Sequence, residues 1–228
     1  VLKKNDTISN QITSGKDTVA VRVPSHPLSL KLLEKIEFPL VAPSANPFGS
    51  ISPTSAIHVK KYFDHEIDLI LDGGVCSYGL ESTIVGFDDN KPILYRHGAI
   101  TIETIEKEIG KITHRTENNK TPNAPGMHSR HYAPKTPIIL SKNINKTIGN
   151  HPKRNLAVLL FKKFQNIDKT VHHEILSIDG NLEEAARNLY SIMHKLDQMN
   201  FDLIIAPYFP DSGLGKTIND RLNRAVKK

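Results

Sequence analysis

Apolar and β-branched residues alternate with polar ones over residues 18–24 (TVAVRVP), a spacing that predicts a strand. Ser25 follows as a helix N-cap candidate, with Pro27 in the first turn and Leu28, Leu32, Leu33 and Ile36 on one face. Residues 39–42 predict a short strand running into the loop Pro43-Ser44-Ala45-Asn46, and 54–63 a second helix. Residues 67–71 read as a buried strand with Asp72-Gly73-Gly74 as its turn. Strands over 83–87 and 93–96 and a helix over 101–109 complete an α+β pattern, and Val1-Leu2 reads as the tail of a strand.

Residues 114–134 (HRTENNKTPNAPGMHSRHYAP) are polar and carry three prolines without any period, the signature of a linker. Beyond them the pattern becomes regular, with strands over 137–140, 156–161, 175–178 and 203–206. Between the last two lies an amphipathic helix whose Leu182, Ala185, Ala186, Leu189, Ile192, Met193 and Leu196 follow three-and-four spacing. Strand, helix, strand predicts a parallel α/β layer, closed by a helix over 216–226. The expected division is a first domain over 1–113, a linker over 114–135 and a second domain over 136–228.

Apolar residues make up 38% of the 228, enough for ordinary cores, and no run approaches the roughly 20 unbroken apolar residues of a membrane span. The polar start Lys3-Lys4-Asn5-Asp6 does not resemble a secretory signal. Cys76, the single cysteine, permits no intrachain disulfide and fits a reducing compartment; without a local base it is expected to be a small packed side chain. A formal charge of +6 favours polyanionic partners, although a solvated basic surface accounts for it equally well.

Asp211-Ser212-Gly213-Leu214-Gly215-Lys216-Thr217 imitates a phosphate loop, but the position that should hold its first glycine is Pro210. A glycine turn entering the last helix is the expectation. His128 and His131, with His114, His172 and His173, have no framework or acidic partner nearby in sequence, so no metal site is assigned to them. More informative are Thr18, Arg22, Ser44, Asn46, Ser52, Ser82, Thr83 and Arg96, which fall at strand ends and turns where polar groups converge on ligands. Guanidinium pairs suit carboxylate and phosphate, so the cluster suggests a site for an anionic small molecule; scattered turn capping is the competing explanation.

Six blocks then carry a resemblance: VAVRVPSHP (19–27), APSANPFGSISPTSAIHV (42–59), IDLILDGGVCSYGLESTIVGF (67–87), ILYRHGAIT (93–101), APGMHSRHYAPKTP (124–137) and GLGKTINDRLNRA (213–225). Together they resemble threonylcarbamoyl-AMP synthases of the long, two-domain YrdC-like type. The resemblance implies a twisted YrdC-like α/β domain with a concave groove, a linker, and a small Rossmann-like parallel α/β domain. It implies condensation of L-threonine, bicarbonate and ATP, with Mg2+, into threonylcarbamoyl-adenylate and pyrophosphate. A separate transferase complex then uses the product to modify the adenosine beside the anticodon of tRNA, in the cytoplasm. By motif, Arg22 and Ser82 would hold threonine, while Thr18, Ala42, Ser44, Ser52 and Arg96 would line the ATP site and Tyr132 would close over the nucleotide as a lid. No covalent nucleophile is implied, because positioning and charge neutralisation suffice at phosphorus.

The sequence departs from the family at its start. A Lys-x-Arg motif that contacts ATP has no counterpart before Val1; Lys3-Lys4-Asn5 is not that motif, and Lys153-Arg154 lies in the other domain. The expectation is therefore an amino-terminally truncated first domain, with an exposed sheet edge and with activity of the chain alone in question. The alternative reading is a non-catalytic fragment that binds double-stranded RNA or tRNA through a basic groove.

Overall fold

The computed structural model describes residues 1–114, 132–163, 167–168 and 170–226. Along the chain it forms β1 (Leu2–Lys3), α1 (Asn10–Thr13), β2 (Thr18–Val19), α2 (Pro27–Leu33), α3 (Ala56–Phe63), β3 (Ile84–Asp88), β4 (Lys91–Arg96), α4 (Ile102–Ile109) and β5 (Thr113–His114). There follow β6 (Ile138–Ser141), α5 (Ile144–Gly149), β7 (Leu156–Leu160), β8 (His172–Ile175), α6 (Leu182–Asp197), β9 (Leu203–Pro207) and α7 (Leu214–Val226). The strands pair as β1-β2, as β3-β4-β5 and as a four-stranded sheet in the order β6-β9-β7-β8.

The four-stranded sheet is parallel throughout. A parallel sheet needs cover on both faces, and its central strands accordingly read as unbroken apolar runs, LAVLL in β7 and LIIA in β9. Alternation along the strands divides them between two cores. Ala157, Leu159, Ile204 and Ala206 face α6 and α7, whereas Leu156, Val158, Leu160, Leu203 and Ile205 face Ile144 and Ile148 of α5. α6 starts where the Asn181 side chain accepts from the backbone N–H of Glu183 and Glu184, at 2.8 and 2.9 Å. Acidic Glu183 and Glu184 in its first turn and Lys195 in its last complement the helix dipole.

β8 corrects the reading of 175–178 as a strand. The ladder runs from Ala157↔His172 to Leu160↔Ile175, three residues earlier than the apolar run suggests. β8 is an edge strand, and its polar His172-His173-Glu174 fits a position with one unpaired side.

β3 and β4 form a hairpin through Asp89 and Asn90, both at positive φ (46° and 62°), as a tight two-residue turn requires. β5 joins β4 in parallel, and Ile102 and Ile105 of α4 pack on Leu94, Ile112 and Val85.

The first hundred residues are otherwise less regular than their sequence suggests. Within 18–24 only Thr18 and Val19 pair, with Lys3 and Leu2. The stretches 39–42 and 67–71 have no ladder partner among the described residues, and Val23, Val41 and Leu69 are 85%, 69% and 76% exposed. A strand is a property of a pair, so an alternating pattern does not become one by itself. The N-cap of α2 is His26, not Ser25: its Nδ1 accepts from Leu28 N at 3.2 Å, with Pro27 opening the helix. Cys76, expected to be packed, is exposed; its backbone N–H donates to Thr54 O at 2.9 Å.

Candidate functional site

Residues 77–83 cross from α6 to the start of β3, and close backbone contacts fix them. Gly79, at φ 68°, lies so near α6 that a Cβ there would stand 2.3 Å from Arg187 O. At the other end, a Cβ on Gly98 would stand 2.1 Å from Thr83 N. The Arg187 guanidinium donates to Ser77 O at 3.1 Å and Ala99 N donates to Glu81 O at 2.9 Å. Thr83 Oγ1 donates to Ile100 O at 2.5 Å and accepts from Ile100 N at 3.1 Å.

On this track Ser82 receives two arginines. Arg22 Nη2 donates to Ser82 Oγ at 3.2 Å, and Arg96 Nη2 reaches the same oxygen at 3.3 Å while donating to Ser82 O at 2.8 Å. Burial lowers the pKa of Arg96, and the charges of Arg221 and Arg22 push the same way. Arg22 is exposed and, among the described residues, faces no carboxylate at ion-pair distance. Two guanidinium groups around one hydroxyl make a locus for a carboxylate or a phosphate.

The preceding residue serves a different neighbourhood. The carboxylate of Glu81 accepts from Ser52 Oγ at 2.6 Å, from Tyr190 Oη at 3.1 Å on both oxygens, and from Arg221 Nε at 2.8 Å. Burial alone would raise the Glu81 carboxyl, but the Arg221 guanidinium and the Ser52 hydroxyl override it and hold the group below the ordinary carboxylate range. Arg221 is 1% exposed; it also donates to His97 O at 2.6 Å and lies 4.8 Å from the centre of the Tyr132 ring. Burial pushes the Tyr190 phenol well above its usual range, so it stays a donor to Glu81.

The segment holding Ser52 is fastened from two helices. Tyr62 Oη of α3 donates to Ile51 O at 3.0 Å, and His194 Nε2 of α6 lies 3.1 Å from Ser52 O. Thr54 N donates to His58 Nδ1 at 3.2 Å, and the His58 and His194 rings stack at 3.9 Å. Burial, with the neighbouring His194 and Lys61 charges, lowers the His58 pKa to about 4, so the stacked ring is neutral. Desolvation also lowers His194.

Of the residues expected at the site, the structure brings Arg22, Ser82 and Arg96 into direct contact and links Ser52 to them through Glu81, the neighbour of Ser82. Thr18 pairs with Lys3 in the β1-β2 ladder, and Ala42 and Ser44 are exposed in the loop before Asn46. Among the described residues no hydrogen bond ties these three to the arginine cluster. Asn46 Nδ2 donates to Pro47 O and Ser50 O, at 3.0 and 3.2 Å. Tyr132, expected in a lid, is 1% exposed at φ 64° and stacks on Tyr190 at 5.8 Å. Ala133 beside it bridges to Ser50.

Sequence reasoning missed Glu81, Tyr190 and Arg221. The signal for Arg221 was available: Ile218, Leu222 and Ala225 mark the buried face of α7, and Arg221 lies on it as a charge at an apolar position. The phosphate-loop look-alike also finds its reason. A Cβ on Gly215 would stand 2.0 Å from Pro210 O, so the glycine serves the close packing of a helix start. His128 and His131 lie outside the described residues, and among those described no three His, Cys, Asp or Glu side chains gather.

Two family models match the chain end to end. The model described as threonylcarbamoyl-AMP synthase, C-terminal domain, covers residues 100–226, and the Sua5/YciO/YrdC model, described as telomere recombination, covers 1–98. The threonylcarbamoyl-AMP synthase of Pyrococcus abyssi is 38% identical over 99% of this chain and 68% of its own length. The chain belongs to the threonylcarbamoyl-AMP synthase family. The synthase of Bacillus subtilis is 37% identical, over 98% of this chain and 67% of its own. A crystal structure of P. abyssi Sua5 complexed with L-threonine superposes with a TM-score of 0.89 at 35% identity, covering 99% of this chain and 69% of that one. The twisted α/β architecture with a parallel sheet is thus that of a threonylcarbamoyl-AMP synthase. The two family models meet at residues 98–100, inside the expected first domain of 1–113.

Proposed function

We propose that this chain is an L-threonylcarbamoyladenylate synthase, a nucleotidyltransferase that converts L-threonine, bicarbonate and ATP into threonylcarbamoyl-AMP and pyrophosphate. The observation that carries the reading is the convergence of Arg22 and Arg96 on Ser82 Oγ, at 3.2 and 3.3 Å, in a chain of this family. Arg22 and Ser82 hold threonine, Arg22 through the carboxylate; the similar P. abyssi Sua5 has been solved in complex with L-threonine. Arg96 and Ser52, with Thr18, Ala42 and Ser44, form the nucleotide side; Tyr132, packed against Tyr190 and Arg221, reaches it only by leaving that packing.

The chemistry asks little of the protein beyond placement. The threonine amine and bicarbonate give the carbamate and water, and a carbamate oxygen attacks the α-phosphorus as the bond to pyrophosphate breaks. Charge developing at phosphorus is met by Arg96, held on Ser82 O, while Arg22 neutralises the threonine carboxylate. Mg2+ arrives as part of the nucleotide substrate. The product supplies a separate transferase that modifies the adenosine beside the tRNA anticodon, and the working compartment is the cytoplasm. The catalytic domain spans 1–113, the linker 114–135 and the second domain 136–228.

Pyrophosphate release from ATP is measured with and without threonine. Release that rises with threonine and requires bicarbonate supports the reading, and release indifferent to threonine overturns it. Arg22→Ala raises the KM for threonine by about 10- to 100-fold, the value of hydrogen bonds to a charged group at about 1.5–3 kcal/mol. Because Arg22 is exposed, the melting temperature stays where it was.

A further inference from the structure

We propose that Arg221 of α7 and Tyr190 of α6 are positioning residues for the substrate site, acting through the Glu81 carboxylate to set the places of Ser82 and Ser52. The inference deepens the proposed activity and rests on it.

Glu81 and Ser82 are joined by one peptide unit, so a group that fixes the Glu81 side chain limits where Ser82 can stand. Glu81 points at Tyr190 and Arg221, and Ser82 Oγ meets Arg22 and Arg96. The same carboxylate accepts from Ser52 Oγ at 2.6 Å, the shortest of its bonds, and so ties the 50–54 segment to the 81–83 segment. Neither tie is local in sequence: Arg221 is 140 residues from Glu81 and Tyr190 is 109 residues away.

The arrangement is more than a generic buried ion pair. Arg221 uses Nε for Glu81, Nη1 for Asp220 and Nη2 for His97 O, while its guanidinium stands over the Tyr132 ring. His97 follows Arg96, so this one side chain holds the Glu81 carboxylate on one strip and the backbone carbonyl beside Arg96 on the other. Gly98 lets those strips approach, since a Cβ there would stand 2.1 Å from Thr83 N, while Gly79 seats the first strip on α6. A lysine, with one nitrogen at its end, cannot span the same acceptors. Displacement of a positioned group by on the order of 1 Å can cost about 100-fold in rate even when its cause lies away from the chemistry.

The test uses the full protein, with pyrophosphate release followed at varied threonine and varied ATP, and melting followed alongside. Tyr190→Phe removes one hydroxyl and keeps the ring; it raises the KM for threonine or ATP about 3- to 10-fold at assay temperatures well below its melting point. Arg221→Met raises it at least about 10-fold, and Arg221→Lys falls between the unaltered protein and Arg221→Met. A merely structural role gives another pattern, in which the melting temperature and apparent kcat fall together and both KM values stay put. Should Arg221→Met fail to fold, Tyr190→Phe decides alone, and unchanged KM values in it overturn the inference. Threonine-dependent release by the unaltered protein with normal KM values in the variants sinks the positioning role only. No threonine-dependent release from the unaltered protein removes the activity and this role together.

Discussion

The parallel sheet and the stretches 18–24, 39–42 and 67–71 are built from similar apolar alphabets, yet only the sheet buries what it carries. β7 and β9 each place branched residues at 0% exposure, including Val158, Leu159, Ile204 and Ile205. Val21, Val23, Leu40, Val41, Leu69 and Leu71 have the same chemistry and stand at 50% exposure or more. The difference lies in pairing. β7 has neighbours on both sides and helices over both faces, while the alternating stretches of the first region lack ladder partners among the described residues. Burial energy belongs to assembled layers, and the pattern along one segment only offers it.

The contrast can be broken by experiment, most forcefully in the core. Leu189→Ala empties a fully buried position between α6 and the sheet and lowers unfolding free energy by about 2–5 kcal/mol in chemical denaturation. Gly79→Ala places a methyl group against the α6 backbone at positive φ and costs about 1–3 kcal/mol by the same measurement. A cost near zero would show that the 77–83 track yields easily. Val23→Ser, at an 85% exposed position, changes stability by about 0.5 kcal/mol or less. A loss as large as that of Leu189→Ala would place Val23 in a buried layer and erase the contrast.

The pH dependence is subtler. The pKa of His58 in the fold is lowered to about 4 from 6.5, so the unfolded chain binds more protons between those values. The stability that depends on a neutral His58 is fully present above about 6.5 and is lost as pH falls toward 4, and His194 shifts in the same direction. His58→Gln therefore flattens the melting temperature between pH 6.5 and 4 relative to the unaltered protein. An unchanged slope would take His58 out of the acid response.

What the residues revealed beforehand follows the same division. α6, β7, β9, the strands β3 and β4 and the helix α4 were all legible, because periodicity and caps there agree with the tertiary packing. The 175–178 strand was displaced because an edge strand need not be apolar, and 18–24 was overextended because a ladder partner cannot be seen in one segment. Of the residues singled out from type and position, Arg22, Ser82 and Arg96 come together in the fold. Glu81 and Tyr190 escaped because only the folded chain makes them neighbours, whereas Arg221 did carry a signal, a charge on the apolar face of α7.

Ile51 is 1% exposed inside the hydrophobic cluster shared by α6, α7 and the parallel sheet. A version of the protein trimmed to residues 100–226 would therefore have a hole in its interior where that isoleucine sits. It would also take the Glu81 carboxylate from Arg221, leaving Asp220 as the acid beside that cation. The seam between the two matched halves is thus a poor place to cut, and each half owes part of its solidity to the other.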